Sequence, residues 1–395
     1  MFKDFSKRVR AIKPSPTLAV SNLASQLRAE GRDVIGLGAG EPDFNTPDHI
    51  CAAAIEAIRN GDTHYTAVDG TAALKQAIID KFERDNGLAY RADQVLVSCG
   101  GKQSFFNLCQ ALLDAGDEVI VPAPYWVSYP DIVILADATP VIVETGIDST
   151  FKITPEMLAA AITDKTRMLV LNSPSNPTGV GYSMQELAAL GDVLLRHPEI
   201  LVMTDDMYEH IVWGNYEFCN ILNACPALYD RTMVFNGVSK AYAMTGWRIG
   251  YAAGDADIIR AMKKIQSQST SNPTSISQAA SVAALNGDHA PVRAMVTEFR
   301  RRHDFLVAAL NSIRHIQCLE SDGTFYSFPN IQSFIDSRGD LNNDVDVANL
   351  LLEKVGVALV PGSAFGAEGY MRISFATGMD NLEKAVERIR QVFEE

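Results

Sequence analysis

From about residue 93 to residue 260 the chain alternates short apolar, β-branched runs with stretches of helical period. Gln94–Ser98, Glu118–Pro122, Met168–Asn172, Ile200–Thr204, Met233–Asn236 and Ile249–Ala252 are apolar through most of their length. They lack the alternation of a strand with one wet face, which predicts strands covered on both faces. Helical patterns such as Lys102–Leu113 and Met184–Arg196 lie between several of them. That succession predicts a mostly parallel sheet with crossover helices. After Asn286-Gly287-Asp288 the character changes. A long helical pattern, Ala290–Ile313, leads into runs of more antiparallel flavour at Thr324–Pro329, Ala358–Val360 and Tyr370–Phe375, and a helix near Asp380–Phe393 closes the chain. The expected organisation is a large α/β domain over residues 46–289 and a smaller α+β domain over 290–395. Residues 1–45 form a segment that crosses between them and belongs with the small domain.

Length agrees with two domains, because 395 residues exceed what one hydrophobic core usually holds. Apolar residues make up 47% and charged residues 21%, ordinary values for a soluble globular chain. The net charge of −14 argues against nucleic acid or an anionic membrane as the main partner. A protein of that charge that binds anions has to gather its cations in a pocket. Cys51, Cys99, Cys109, Cys219, Cys225 and Cys318 form no CxxC and sit mostly in apolar segments, so they read as reduced thiols. The opening MFKDFSKRVR has no apolar h-region, and no run approaches the ~20 apolar residues of a membrane span. A soluble, cytoplasmic protein is expected. The seven histidines show no ligand spacing, and Gly36-Leu-Gly38-Ala-Gly40 is not GxGxxG. Neither a metal site nor a dinucleotide site is implied.

Ligands of parallel sheets bind beyond the carboxyl ends of the strands. Lys240 follows the run Met233–Asn236 by a short turn and is trailed by Gly246-Trp247-Arg248. Desolvation or a cationic neighbour there would lower its pKa and make it nucleophilic, and Arg248 could also grip a phosphate. Asp205 ends the run Ile200–Met203 and needs a cationic partner if buried, although a helix cap is the simpler role and Asp206 competes for it. Tyr208 lies close enough to share its pocket. Asn176 sits in a rigid turn, Ser173-Pro-Ser-Asn-Pro-Thr-Gly179, whose carboxyl-end position would fix its amide toward a ligand. Gly100-Gly101-Lys102 joins a strand to a helix N-terminus, a place where backbone N–H groups meet an anion. Arg372 lies on the face of Tyr370–Phe375 opposite Met371, Ile373 and Phe375, either at the surface or as a carboxylate clamp.

Asn176-Pro-Thr-Gly179, Asp205-x-x-Tyr208, Ser239-Lys240, Gly246-Trp-Arg248 and Arg372, in this order, resemble the class I aminotransferases of pyridoxal-phosphate fold type I. The resemblance implies a mostly parallel seven-stranded sheet flanked by helices, plus a small α+β domain. It implies that Lys240 carries pyridoxal 5'-phosphate as a Schiff base and shuttles the reaction's proton, with Asp205 on the pyridinium nitrogen. Asn176 and Tyr208 would bond the phenolate, Trp126 would stack on the ring, and the Gly101 and Lys102 amides, Ser239 and Arg248 would hold the phosphate. Tyr65 would reach the neighbouring subunit's phosphate in a homodimer. Arg372, helped by the Gly40 backbone, would bind the substrate α-carboxylate. Many relatives carry a second phosphate-binding serine where this chain has Gly237.

Gly100-Gly-Lys-Gln103 and Lys13-Pro-Ser-Pro-Thr17 bring the chain nearest to the bacterial I-beta aspartate aminotransferases. There Lys102, with Ser15 and Thr17, would bind the distal carboxylate, and Lys13 matches a lysine associated with prephenate. No arginine stands in Gln266–Pro273, where the other aspartate branch takes one from its partner. The implied reaction is transamination between L-aspartate and 2-oxoglutarate, with prephenate to arogenate as a further activity. An alanine or aromatic aminotransferase, a β-lyase of the same fold and a non-catalytic sensor domain are the alternatives.

Overall fold

The computed structural model describes residues 5–14 and 16–395. Seven strands form the main sheet: β1 (Val95–Ser98), β2 (Glu118–Ala123), β3 (Thr139–Glu144), β4 (Thr166–Asn172), β5 (Leu201–Asp205), β6 (Thr232–Gly237) and β7 (Gly250–Ala253). Their order is β1-β7-β6-β5-β4-β2-β3. Pairs from β3 through β2, β4 and β5 to β6 are parallel, while β7 runs antiparallel to both β6 and β1. The reversal has a local cause. The connection from β6 to β7 contains only a single 3-10 turn, Thr245–Trp247, and no crossover helix to bring the chain back to the starting edge.

The fully apolar strands are where the pattern placed them, within one or two residues at each end. Gln94 is not in β1. It stands in a 3-10 turn with its amide bonded to the Gly254 carbonyl at 3.2 Å. β3 was not anticipated, because Thr139-Pro140-Val-Ile-Val-Glu144 alternates in burial and carries a proline, the signature of an edge strand with one exposed side.

Helices cover both faces. Phe105, Leu108, Met233, Phe235 and Met262 pack on one side of the sheet. Ile78, Leu187, Leu190, Tyr251 and Ala280 pack on the other. A separate apolar cluster gathers the helices Ala290–Asn311, Asp344–Val355 and Met379–Phe393 around Phe299, Phe325 and Phe375. With them go three short antiparallel strands, Val360–Pro361, Met371–Ser374 and Tyr326–Ser327. The N-terminal segment joins this cluster through Ile35–Gly36, which pairs in parallel with Val357–Ala358. Its helix Pro16–Ala29 packs Ala24 against Leu352 and Ala358. Among the described residues no helix is long and apolar enough to cross a membrane.

The topology brings four strand ends to one edge. Asn172 and Asp205 are register partners at the ends of β4 and β5, and Gly237 and Ser98 both face Gly250 at the ends of β6 and β1. Gly250 is where the sheet touches the turn after β1: a Cβ there would lie 2.2 Å from the Gly101 nitrogen and 2.5 Å from the Gly100 carbonyl carbon. Backbone on both sides cannot yield without parting the strand from the turn. Gly250→Ala should therefore cost about 1–3 kcal/mol of stability, read from the urea midpoint, and an unchanged midpoint would show that the turn is free to move.

Candidate active site

The cleft at this strand edge has a volume of about 510 Å³. Strand alternation decides which of two adjacent acids enters it. Asp205 lines the cleft, where its Oδ2 accepts from the Tyr129 hydroxyl at 2.6 Å and its Oδ1 from the Met207 N–H at 3.2 Å. Asp206 turns into the interior, accepting from the Thr204 hydroxyl at 2.7 Å and from the Asn220 amide. Burial, with the nearby Glu209 adding to it, pushes the Asp206 carboxyl up to about 8. Burial also raises Asp205, against the Tyr129 hydrogen bond and the Lys240 charge.

Lys240 leaves the end of β6 half-buried in the cleft and donates to the Gly40 carbonyl at 2.6 Å. Burial first, then the positive charges of Arg372 and Arg248, lower its ammonium to about 8 against the opposing pull of Glu41 and Asp205. Arg372 is 2% exposed. The surface reading of that residue is wrong for a physical reason: its strand is covered on one face by the small cluster, and the other face looks into the cleft. The guanidinium donates to Asn176 Oδ1 at 3.0 Å and to the Gly38 carbonyl at 2.8 Å. It also stacks over Tyr326 and Phe365 at 4.4 and 5.0 Å. Its Nε is buried without a hydrogen-bond partner among the described residues. Asn176 is held from behind, its N–H on the Asn172 side chain at 2.9 Å, while the Asn172 amide donates to the Asp205 carbonyl at 2.9 Å.

At the far end, Gly100 caps the helix Gly101–Leu112 with φ +92, a left-handed value suited to glycine. A Cβ at Gly100 would strike Arg248 Nη2 at 2.1 Å. Arg248 is anchored by the carbonyls of Thr245 at 2.8 Å and Cys99 at 3.3 Å, beside the unbonded N–H groups of the helix start. Gly237 has a steric reason: a side chain there would meet the Ile249 carbonyl at 3.0 Å and Met207 at 3.1 Å. The Lys102 ammonium sits 5.0 Å from the Trp126 ring centroid, with no carboxylate paired to it among the described residues. Burial and then Arg248 lower its pKa.

Gly40, Gly101, Lys102, Trp126, Asn176, Asp205, Tyr208, Ser239, Lys240, Arg248, Arg372 and Thr17 thus share one cleft. Two expected residues do not, and a third cannot be placed. Tyr65 is 92% exposed and away from the cleft, Lys13 is exposed beside the Asp131 carboxyl, and Ser15 lies outside the described residues. Residues that the sequence reading passed over also line the cleft: Tyr129, Asn172, Glu41, Thr245, Tyr326 and Ser21. Asn172 carried a signal, a polar residue ending a buried strand. Tyr129 and Tyr326 carried none, since an aromatic in an apolar stretch reads as core.

Residues 32–389 match the family model "Aminotransferase class I and II". The chain belongs to that aminotransferase family. It is 62% identical over 389 residues to the aspartate/prephenate aminotransferase of Nitrosomonas europaea, covering 97% of this chain and 98% of that protein. The protein of the same name from Cereibacter sphaeroides is 53% identical, covering 98% and 97%. Among solved structures, the aspartate aminotransferase of Rhizobium meliloti superposes with a TM-score of 0.96 at 47% identity, covering 100% and 99%. That of Thermus thermophilus with maleate gives 0.92 at 42%, covering 99% and 100%. The fold is that of these aminotransferases, a mostly parallel seven-stranded sheet between helices. Lys13, Ser15 and Thr17 all precede the matched family region.

The depressed Lys240 ammonium has a direct readout. In the cofactor-free aminotransferase, acylation of Lys240 followed by peptide mass spectrometry should rise through a midpoint near pH 8, where the neutral amine appears. Arg372→Met should move that midpoint upward, because removing a neighbouring positive charge favours the ammonium. A midpoint near the ordinary lysine value of 10.5 in the wild type would contradict the desolvated setting.

Proposed function

We propose that this aminotransferase exchanges the amino group between L-aspartate and 2-oxoglutarate, giving oxaloacetate and L-glutamate, with prephenate, converted to arogenate, as a second acceptor. The observation that carries the reading is one cleft lined by Lys240, Asp205, Arg372 and Lys102, the last without a carboxylate partner among the described residues. The names of the relatives from Nitrosomonas europaea and Cereibacter sphaeroides support aspartate and prephenate as substrates.

The residues fit pyridoxal 5'-phosphate. Asp205 is a buried carboxylate with one face open to the cleft, suited to a pyridinium N–H, and Trp126 offers a ring to stack on. The cradle of Gly101 and Lys102 N–H groups, Ser239 and Arg248 suits a phosphate, and side chains at Gly100 or Gly250 would fill it. Asn176 and Tyr208 supply an amide N–H and a hydroxyl as donors to the phenolate edge. The exposed Tyr65 would complete the phosphate shell of a partner subunit in a homodimer. Bound here, the cofactor supplies an electron sink for the bond being broken at the substrate Cα.

The chain's own groups do the rest. Arg372 takes the α-carboxylate through its fork, with its position set by Asn176 and the Gly38 carbonyl, beside the Gly40 backbone. Lys102 would face the distal carboxylate with Thr17, which lines the same cleft; Ser15 and Lys13 are further candidates for that end of the substrate from the sequence alone. The Lys240 amine, neutral near pH 8, would take the proton from the substrate Cα and hold it for return. The division at residues 45/46 and 289/290 would let the small domain close over these groups and exclude water. Six free thiols support a reducing, cytoplasmic setting.

The test is a half-reaction in which loss of the bound cofactor's absorbance is followed with aspartate, glutamate, arogenate, alanine and tyrosine separately. The dicarboxylic donors should react fastest; if alanine or tyrosine is best, the distal-anchor assignment falls. Lys102→Ala should raise the KM for aspartate about tenfold or more, the worth of one charge-assisted contact, while leaving alanine within about twofold. Lys240→Ala should abolish turnover. Asp205→Asn should slow the half-reaction by about a hundredfold or more, far beyond Asp206→Asn, and the reverse ranking would show that the wrong acid was chosen.

A further inference from the structure

Behind the cleft floor lies a buried ion pair that none of the roles above uses. Lys81 and Glu209 are 0% and 5% exposed and in direct contact. Lys81 ends the helix Ala72–Lys81, and the chain continues through a π-helical turn, Phe82–Asn86. That wide turn folds Asn86 back, so that its Oδ1 accepts from Lys81 Nζ at 2.7 Å and its amide donates to Glu209 Oε2 at 2.8 Å. The other oxygen, Oε1, accepts from the Asn236 amide at 2.6 Å. Asn236 is on β6, the strand that delivers Lys240, and its own Oδ1 accepts the Gly237 N–H at 2.7 Å. Glu209 itself follows Tyr208 in the turn that leaves Asp205.

A buried pair of charges is rarely the most stable filling for such a space, since well-packed apolar residues do as well or better. Its location is therefore informative. The Glu209 backbone belongs to the turn that leaves Asp205 and Tyr208, while its Oε1 is bound by Asn236 of the strand that leads to Lys240 and by Lys81, and its Oε2 by Asn86. We infer that Glu209, charge-paired with Lys81, is a positioning residue that sets the Asp205 and Tyr208 side chains relative to Lys240 across the cofactor site. The inference rests on the reading that Lys240 and Asp205 hold the cofactor from two sides. Burial alone would raise the Glu209 carboxyl, but the Lys81 ammonium, with His210 and Asn86 adding to it, holds it down at about 2. His210 stands 3.5 Å from both Glu209 and Asp85, and Asp206, Tyr242 and Tyr251 also face the cluster. The charge is thus constant through the neutral range, and the pair acts as a fixed brace.

Asn236→Ala cuts the link from Glu209 to the lysine-bearing strand, together with the Asn236 bond to the Gly237 N–H, and leaves the ion pair whole, so it tests the inference in a folded protein. Glu209→Gln and the charge-free pair Lys81→Met with Glu209→Met are compared with it. Each holoenzyme is titrated without substrate, reading the cofactor's dissociation constant and the pH midpoint of its absorbance change, with Tm as the control for folding. Asn236→Ala and Glu209→Gln should weaken cofactor binding about tenfold, equivalent to 1.4 kcal/mol, and move the midpoint by about half a pH unit or more. The double variant should melt near the wild type yet keep the weakened binding and shifted midpoint. Variants that melt normally and bind within about twofold of the wild type, with the same midpoint, would overturn the inference. Borohydride fixation and peptide mapping of the wild type distinguish the two levels: cofactor found on a lysine other than Lys240 would overturn the reading beneath it and this inference with it.

Discussion

The arrangement of the cleft depends on a guanidinium taken out of water with no carboxylate partner among the described residues. Arg372 contacts Asn176 on the loop after β4, the Gly38 carbonyl on the N-terminal segment, and the rings of Tyr326 and Phe365 from the C-terminal part. Burying such a charge is costly unless dipoles and π-faces replace its hydration. Three separate stretches of chain have to converge to supply them, so the same contacts that make the charge tolerable also close the walls of the site. Because no anion is spent on it inside the protein, its positive charge remains available to a ligand.

That economy repeats around the cleft. Lys240, Lys102, Arg248 and Arg372 face Asp205 and Glu41, an excess of positive charge inside a chain of net charge −14. Each cation is held by a carbonyl, an aromatic ring or both rather than by a salt bridge: Gly40 for Lys240, Trp126 for Lys102, Thr245 and Cys99 for Arg248. Burial lowers the two lysines, and the unneutralised positive neighbours lower them further. A concave positive site in a negative protein concentrates anions where they react and leaves the outer surface repellent to them. Anionic cofactor and anionic substrate are the natural occupants of such a field.

The fold was legible wherever burial is complete on both faces. Runs such as Val95–Ser98 and Met168–Asn172 are apolar because helices cover both sides, and their apolarity needs no partner to be recognised. β3 escaped because an edge strand is only half covered, and its alternation with a proline is also that of a loop. Arg372 was ambiguous for the opposite reason. Strand alternation says which residues share a face, but it does not say whether the second face meets water or another part of the chain. Tyr129 shows the further limit: its hydroxyl matters because a helix on the far side of β5 sets it 2.6 Å from Asp205, a distance that no local pattern encodes.

The amino-acid sequence by itself determined the class of the fold, the order of the strand-end motifs and a set of candidate site residues, because hydrophobic period and turn chemistry are local properties of the chain. Only the tertiary structure decided between Asp205 and Asp206, turned Arg372 inward, left Lys102 without a carboxylate and put Tyr65 on the outer surface. Those choices depend on where a side chain's remaining hydrogen bonds and charges find partners. Such partners come from segments far apart in sequence, and only packing brings them within reach.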